Sequence, residues 1–355
     1  MYIRLMRKTQ AFIIFEEDTK QLNKIYEKID FYKKMPIDTV KICLSNDINE
    51  KYLEDLLYLN KKLSCENLLL MIKINLLEIS SNLLGVSYKN ESFDDPKIQK
   101  ASFSFLNFLV KRGIRAFDFG DVDYLVKKNP SDKKIIETSR LINKNLRSLS
   151  KDVTSLCDLS YKYIDLYDIL TGDSDFDFSY ICRPINIFDE QSRKLLKETY
   201  QNGGRISYKI GFTKSRSKNL SFVKESLILT SLTLLNTPLY IKGSESYFDV
   251  VGPIKSIKDY LEVIYTIKED FSALPRKEFY GIIKKDKDIF AYSLKIADTK
   301  FLFIGNLTQK EILINISMYV SNYSEYKLLL GNYGKRSMVK NLLLRSYEGL
   351  IFVRK

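Results

Sequence analysis

Residues 92–128 read SFDDPKIQKASFSFLNFLVKRGIRAFDFGDVDYLVKK. Asp95 is a good N-cap and Pro96 suits the first helical position. Ile98, Ala101, Phe105, Phe108 and Leu109 then recur at three- and four-residue spacing, forming one apolar stripe. Gly113 ends the helix, and IRAFDF changes the period to that of a buried strand. An amphipathic helix feeding a buried strand is half of a β/α repeat, so the rest of the chain is read for more of them.

Upstream, QAFIIF (10–15) is a first strand, followed by a helix around Leu22, Ile25 and Ile29. IDTVKICL (37–44), a polar helical segment near 49–63 and NLLLMIKI (67–74) continue the alternation. Downstream come a helix near 134–149, strands near 157–165 and 176–182, and a helix near 188–200. RISYKIGF (205–212), a helix from Ser221 to Leu235 and a strand at 238–242 complete eight strands. Apolar strands alternating with helices predict a parallel sheet covered by helices, and eight such units predict a (β/α)8 barrel.

From about residue 273 the texture changes to short strands of period two, bent at Gly, Asn and Asp, as in FAYSLKIADTKFLFIGNLT (290–308). That pattern predicts a C-terminal antiparallel β-sandwich over 273–355, after a barrel over 1–272.

Composition removes whole classes of chemistry. The chain of 355 residues has no His and no Trp. Without imidazole there is no Ser-His or Cys-His nucleophile and no His-held metal, so no metal or cofactor is expected. The four cysteines are Cys43, Cys65, Cys157 and Cys182, and none forms a CxxC pair. A net charge of +13 comes from 57 basic and 44 acidic residues interspersed along the whole length. That spread favours a Lys-rich surface over a nucleic-acid patch, so nucleic acid is not an expected partner. The first apolar run meets Glu16 and Glu17 too early for a leader or a membrane span, which predicts a first strand in a cytoplasmic protein.

Three stretches together resemble the α-amylase family of glycoside hydrolases, in particular its oligo-1,6-glucosidase and trehalose-6-phosphate hydrolase group. Residues 92–128 resemble its Asn-Pro-led helix and the strand carrying Gly-Phe-Arg-x-Asp. SFVKESLILTSLTLLNTPLYIKGSE (221–245) is similar to its Lys-led helix, Gly-Thr-Pro strand and Gly-x-Glu end of strand eight. The segments around 290–308, LLLGNY and LLLRSYEGLIFV are similar to its C-terminal domain. The resemblance implies a retaining glucosidase, with three carboxylates at the C-terminal ends of strands four, five and seven.

Carried over residue by residue, those carboxylates are missing. Gly120 falls on the nucleophilic aspartate and Asp118 on the arginine two residues before it. Tyr163 and Ile164 fall on the glycine and the acid/base glutamate of strand five. Thr213 and Lys214 fall on the histidine and the transition-state aspartate of strand seven, where a cation would repel an oxocarbenium-like species. The family's histidine after strand three has no counterpart in MIKINLLEIS, and its inserted domain there is expected to be reduced to a loop.

The expectation is therefore a barrel without hydrolytic activity, kept for binding a carbohydrate or a protein partner. The alternative is an active α-glucosidase with relocated carboxylates, Asp118 as nucleophile and Glu245 as acid. Against it, Asp118 is also read as a structural partner of Arg115 at the barrel rim. A third reading is a basic nucleic-acid or membrane-surface binder. Tyr161, Tyr163 and Arg216 are candidate substrate-binding residues; Asp121 and Asp123 are read as openers of a helix.

Overall fold

A computed structural model describes residues 13–17, 21–45, 48–87, 91–126, 130–171, 178–184, 186–201, 206–210, 218–235, 238–242, 248–252, 255–272, 276–281 and 286–354. The chain forms two compact units, one of Met1–Arg183 with Arg205–Lys209 and Tyr240–Lys242, the other of Pro184–Gly204, Ile210–Leu239 and Gly243–Lys355.

The first unit carries the parallel sheet. Its order is β1 (Ile13–Glu16), α1 (Leu22–Glu27), α2 (Ile29–Lys33), β2 (Thr39–Cys43), α3 (Glu50–Cys65), β3 (Leu69–Lys73) and α4 (Leu76–Leu84). Then come α5 (Pro96–Lys111), β4 (Ala116–Asp121), α6 (Asp132–Leu149), β5 (Thr154–Asp158), α7 (Tyr167–Leu170) and β6 (Tyr180–Pro184). Strands β1 to β6 pair in sequence order, all parallel, as one curled sheet.

The helix expected after Asp95 forms as the sequence dictates. The Asp95 carboxylate accepts from Lys97 N at 2.7 Å, Pro96 stands in the first turn, and Gly113 takes φ +95° where the chain turns into β4. Arg115 donates to the carbonyls of Val110 and Ile114, which tie off the end of α5. Its guanidinium thus serves the helix terminus, and the expected pair with Asp118 is replaced by another partner for that carboxylate.

Two local expectations are corrected. The segment after β3 is not a bare loop: α4 starts at Asn75, whose side chain accepts from Glu78 N, and ends at Gly85 with φ +69°. It is held to α5 by a buried bond between the Ser80 and Ser102 hydroxyls at 2.6 Å. Strand five lies earlier than read, at Thr154–Asp158, and Tyr161 and Ile164 fall in a 3-10 turn, Tyr161–Leu166. The reason is a clasp: Asp123 accepts from Ser160 N at 3.0 Å and from the Ser160 hydroxyl at 2.6 Å, which stops the strand before the aromatic run begins. Asp123 itself sits in a 3-10 turn, Val122–Leu125, and Asp121 is the last residue of β4.

The second unit holds α8 (Glu190–Gln201), α9 (Lys218–Thr233), α10 (Ile257–Ser272) and the C-terminal strands. β7 (Ile206–Ile210) and β8 (Leu239–Lys242) precede α9 and α10 along the chain. Strands β9 (Arg276–Gly281), β10 (Ile289–Ile296), β11 (Thr299–Asn306), β13 (Lys327–Gly331) and β15 (Gly349–Arg354) make an antiparallel sheet ordered β13-β15-β11-β10-β9. β12 (Ile312–Asn315) and β14 (Asn341–Leu344) form a separate ribbon. Leu302, Ile304, Leu350 and Phe352 of the sheet share one core with Ile314, Leu342 and Leu344 of the ribbon.

Helix α9 approaches this sheet where side chains are missing. Gly305 and Gly349 face each other across β11 and β15, and a Cβ on either would meet Leu227 Cδ1 at 2.8 and 2.9 Å. The Tyr347–Glu348 turn beside them is fixed by a buried carboxylate. Glu348 accepts from Arg336 Nη1, at 2.7 and 2.5 Å, and from Arg345 N at 2.8 Å.

Candidate functional site

Register decides which side chains enter the concave face of the parallel sheet. Ile14, Met71, Ala116 and Leu156 cluster there with Tyr240 of β8, so their neighbours at period two point the same way. This puts Glu16, Lys41, Lys73, Asp118 and Asp158 on that face, and Phe15, Ile72, Phe117 and Cys157 on the helix-covered one.

The charged residues on this face form one network. The Lys41 ammonium pairs with Asp118, lies 3.1 Å from Glu16 Oε2 and donates to the Tyr240 hydroxyl at 2.6 Å. It also sits 4.2 Å from the centre of the Tyr240 ring. Lys41 is 1% exposed, and Asp118 and Glu16 are each 3% exposed, so water screens none of these charges. Asp118 receives a further bond, from Gly120 N to Oδ1 at 2.8 Å. Burial pushes the Asp118 carboxyl up, but the Lys41 ammonium, the Gly120 N–H and the charge of Lys73 outweigh it and hold the group below the ordinary aspartate range.

The end of β4 is shaped by Gly120. Its φ of +60° lies in the left-handed region, and the strand pairing slips between Asp118 and Asp121. A Cβ at this position would stand 3.7 Å from Lys73 Cε, so the lysine stem lines the space into which a side chain at 120 would project. Where the resemblance implies an anionic nucleophile, this chain has a glycine with a lysine beside it.

At the end of β5, Asp158 continues the inward alternation from Leu156 and accepts from Leu159 N at 2.9 Å. This carboxylate was not singled out by sequence reading, because the strand was placed too late. Tyr163 is buried, its hydroxyl has no hydrogen-bond partner among the described residues, and Lys162 Nζ lies 5.1 Å from its ring centre. Lys214, Arg216 and Glu245 lie outside the described residues. Among those described, no group of His, Cys, Asp and Glu could hold a metal ion.

Sequence reasoning also missed Glu16, Lys41 and Tyr240. The signal was present in part: Lys41 interrupts the apolar run IDTVKICL, and Glu16 ends FIIFE. A lysine inside a buried strand requires a counter-charge.

No protein-family model matches the chain by sequence, and no curated protein matches it either. Solved structures match it closely in fold. A trehalose-6-phosphate hydrolase from Bacillus licheniformis superposes with a TM-score of 0.73 at 12% identity, over 98% of this chain and 100% of that one. An isomaltulose synthase from Erwinia rhapontici NX5, solved as a mutant with its natural substrate sucrose, gives 0.74 at 12%, over 98% and 99%. The isomaltulose synthase of Klebsiella sp. LX3 gives 0.74 at 11%, over 98% and 99%. These neighbours are α-amylase-family glycoside hydrolases, and the curled parallel sheet followed by C-terminal antiparallel sheets is their fold.

Proposed function

We propose that this chain is a divergent α-amylase-family barrel that no longer hydrolyses glycosidic bonds and is kept to bind a carbohydrate or a protein partner. One observation carries the reading: the inward carboxylate of β4, Asp118, is buried in an ion pair with Lys41, while Gly120 beside it offers no side chain. A retaining glycosidase needs a nucleophile able to reach the anomeric carbon and a partner acid roughly 5–5.5 Å from it. An aspartate held in a buried ion pair could reach a substrate only by giving up its buried counter-charge. The test is turnover by purified protein of nitrophenyl α-glucoside, isomaltose and trehalose-6-phosphate. We expect none above a heat-killed control, and clear turnover of any of them would refute the reading.

The second reading keeps an enzyme with relocated carboxylates, Asp118 with Glu245. The placement of Asp158 at the end of β5, on the inward face, favours it by adding a further acid. It predicts that Asp118→Asn abolishes turnover, and that Glu245→Gln or Asp158→Asn does the same. Turnover surviving all three would end it. Function lives in the site and not in the fold, so the shared architecture does not decide between these readings.

The same reading takes the eight strands as a closed barrel over residues 1–272, with a separate C-terminal module over 273–355. The strand order β1 to β8 and the bond from Lys41 on β2 to Tyr240 on β8 support closure. A cytoplasmic location is part of the proposal, supported by the free thiols of Cys43 and Cys65. No described helix is long and apolar enough to cross a membrane.

A further inference from the structure

The outer face of the β12–β14 ribbon presents an exposed leucine pair beside Asn315 and Asn341. Leu313 stands opposite Leu343, and alternation sends Ile314, Leu342 and Leu344 into the C-terminal core while this pair meets solvent, 66% and 40% exposed. A 3-10 turn, Ile316–Met318, is joined to the same ribbon by Ile316 N donating to Lys340 O at 2.8 Å. It brings Met318, 73% exposed, and the segment holding Val339, 47% exposed. Single exposed aliphatic residues are ordinary, but four on adjoining segments form a patch that marks an interaction surface.

The charges along these segments are basic. Lys310, Lys335, Lys340 and Arg345 are exposed, against Glu311 alone; the Arg336 charge is spent on buried Glu348. We propose that this face docks the chain on an anionic lipid bilayer. Leu313, Leu343 and Met318 enter the boundary between headgroups and acyl chains, and the lysines and Arg345 meet the lipid charges. Neither signal alone holds a protein on a membrane, whereas an apolar insertion joined to a basic rim does. A second copy of the chain is a poorer occupant, because both surfaces would bring the same excess of basic charge to the contact. The proposal does not depend on whether the barrel hydrolyses anything.

The absence of Trp gives a clean readout, since Met318→Trp in the full chain introduces a single indole. We expect its emission to shift to the blue with vesicles of phosphatidylcholine mixed with phosphatidylglycerol, and not with phosphatidylcholine alone. Co-sedimentation with the mixed vesicles should be lost in Leu313→Asp/Leu343→Asp. It should weaken about fivefold for each of Lys340→Ser and Arg345→Ser, which leave the apolar residues in place. Mixed-vesicle binding without a blue shift, undiminished by the two aspartates, would assign it to overall charge and overturn the proposal. So would absence of binding at low salt, or a lipid-free dimer abolished by the same two substitutions.

Discussion

Lys41 on β2 and Asp118 on β4 form an ion pair across the inward face of the strand between them, with Glu16 of β1 on the other side of the same ammonium. One lysine therefore answers two buried carboxylates, and the arrangement is asymmetric. Removing the cation takes the ammonium from two buried anions; removing Asp118 leaves Lys41 with Glu16 and Tyr240.

The asymmetry orders the mutants. Lys41→Met is expected to destabilise the chain by about 3–5 kcal/mol, the range for breaking a buried pair from one side. Asp118→Asn is expected to cost less. Urea unfolding at neutral pH measures both through the transition midpoint, and equal losses would mean that Glu16 contributes nothing to holding Lys41.

The pH dependence follows from the direction of the Asp118 shift. A carboxyl held below its ordinary range stabilises the fold at pH values above that range, and this contribution is lost as pH falls through the lowered folded-state value. The stability gap between the natural chain and Asp118→Asn should therefore be full at neutral pH and narrow only in acid, below the ordinary aspartate range. Denaturation curves of both proteins at a series of pH values check it, and a gap that narrows already near neutrality would contradict the assignment.

Gly120→Asp places a carboxylate at the end of β4, where the proposed reading expects it to confer no hydrolysis. The left-handed backbone costs a non-glycine residue roughly 1–2 kcal/mol, and Lys73 Cε stands close enough for its ammonium to pair with the new acid. The variant should fold with a modest drop in melting temperature and still fail to cleave nitrophenyl α-glucoside. Turnover by this single variant would show that only the nucleophile had been lost.

The Asp123 clasp on Ser160 ties the turn after β4 to the turn after β5. Asp123→Ala removes the acceptor for two donors and should cost about 1–3 kcal/mol. Hydrogen exchange should speed up at Ser160 and along the 3-10 turn Tyr161–Leu166, with β4 and β5 unaffected.

In the second unit, Gly349→Ala would push its methyl into Leu227 Cδ1 at 2.9 Å and toward the α9 backbone at 3.3 Å. Overpacking of this kind costs about 1–3 kcal/mol. Leu227→Ala combined with Gly349→Ala should recover part of the loss in a double-mutant cycle, because the two side chains compete for one space.

The sequence by itself determined the elements and most of their faces. The Asp95-Pro96 start, the stripe from Ile98 to Leu109 and the Gly113 stop define α5 from local chemistry, which acts within a few residues of chain. The alternation in IDTVKICL and AFDFGD likewise fixes which side chains share a strand face, and the glycine at 120 is readable without any structure. The partners across that face were decided only by the tertiary structure. Lys41 meets Asp118 and Tyr240, 77 and 199 residues away in sequence, and no local period encodes such separations. The end of strand five was set in the same way, by a side chain reaching from the turn after strand four, so the aromatic run YKYIDLY that looks extended became a turn. Period-two patterning states that a residue points inward; curling the sheet decides what it finds there.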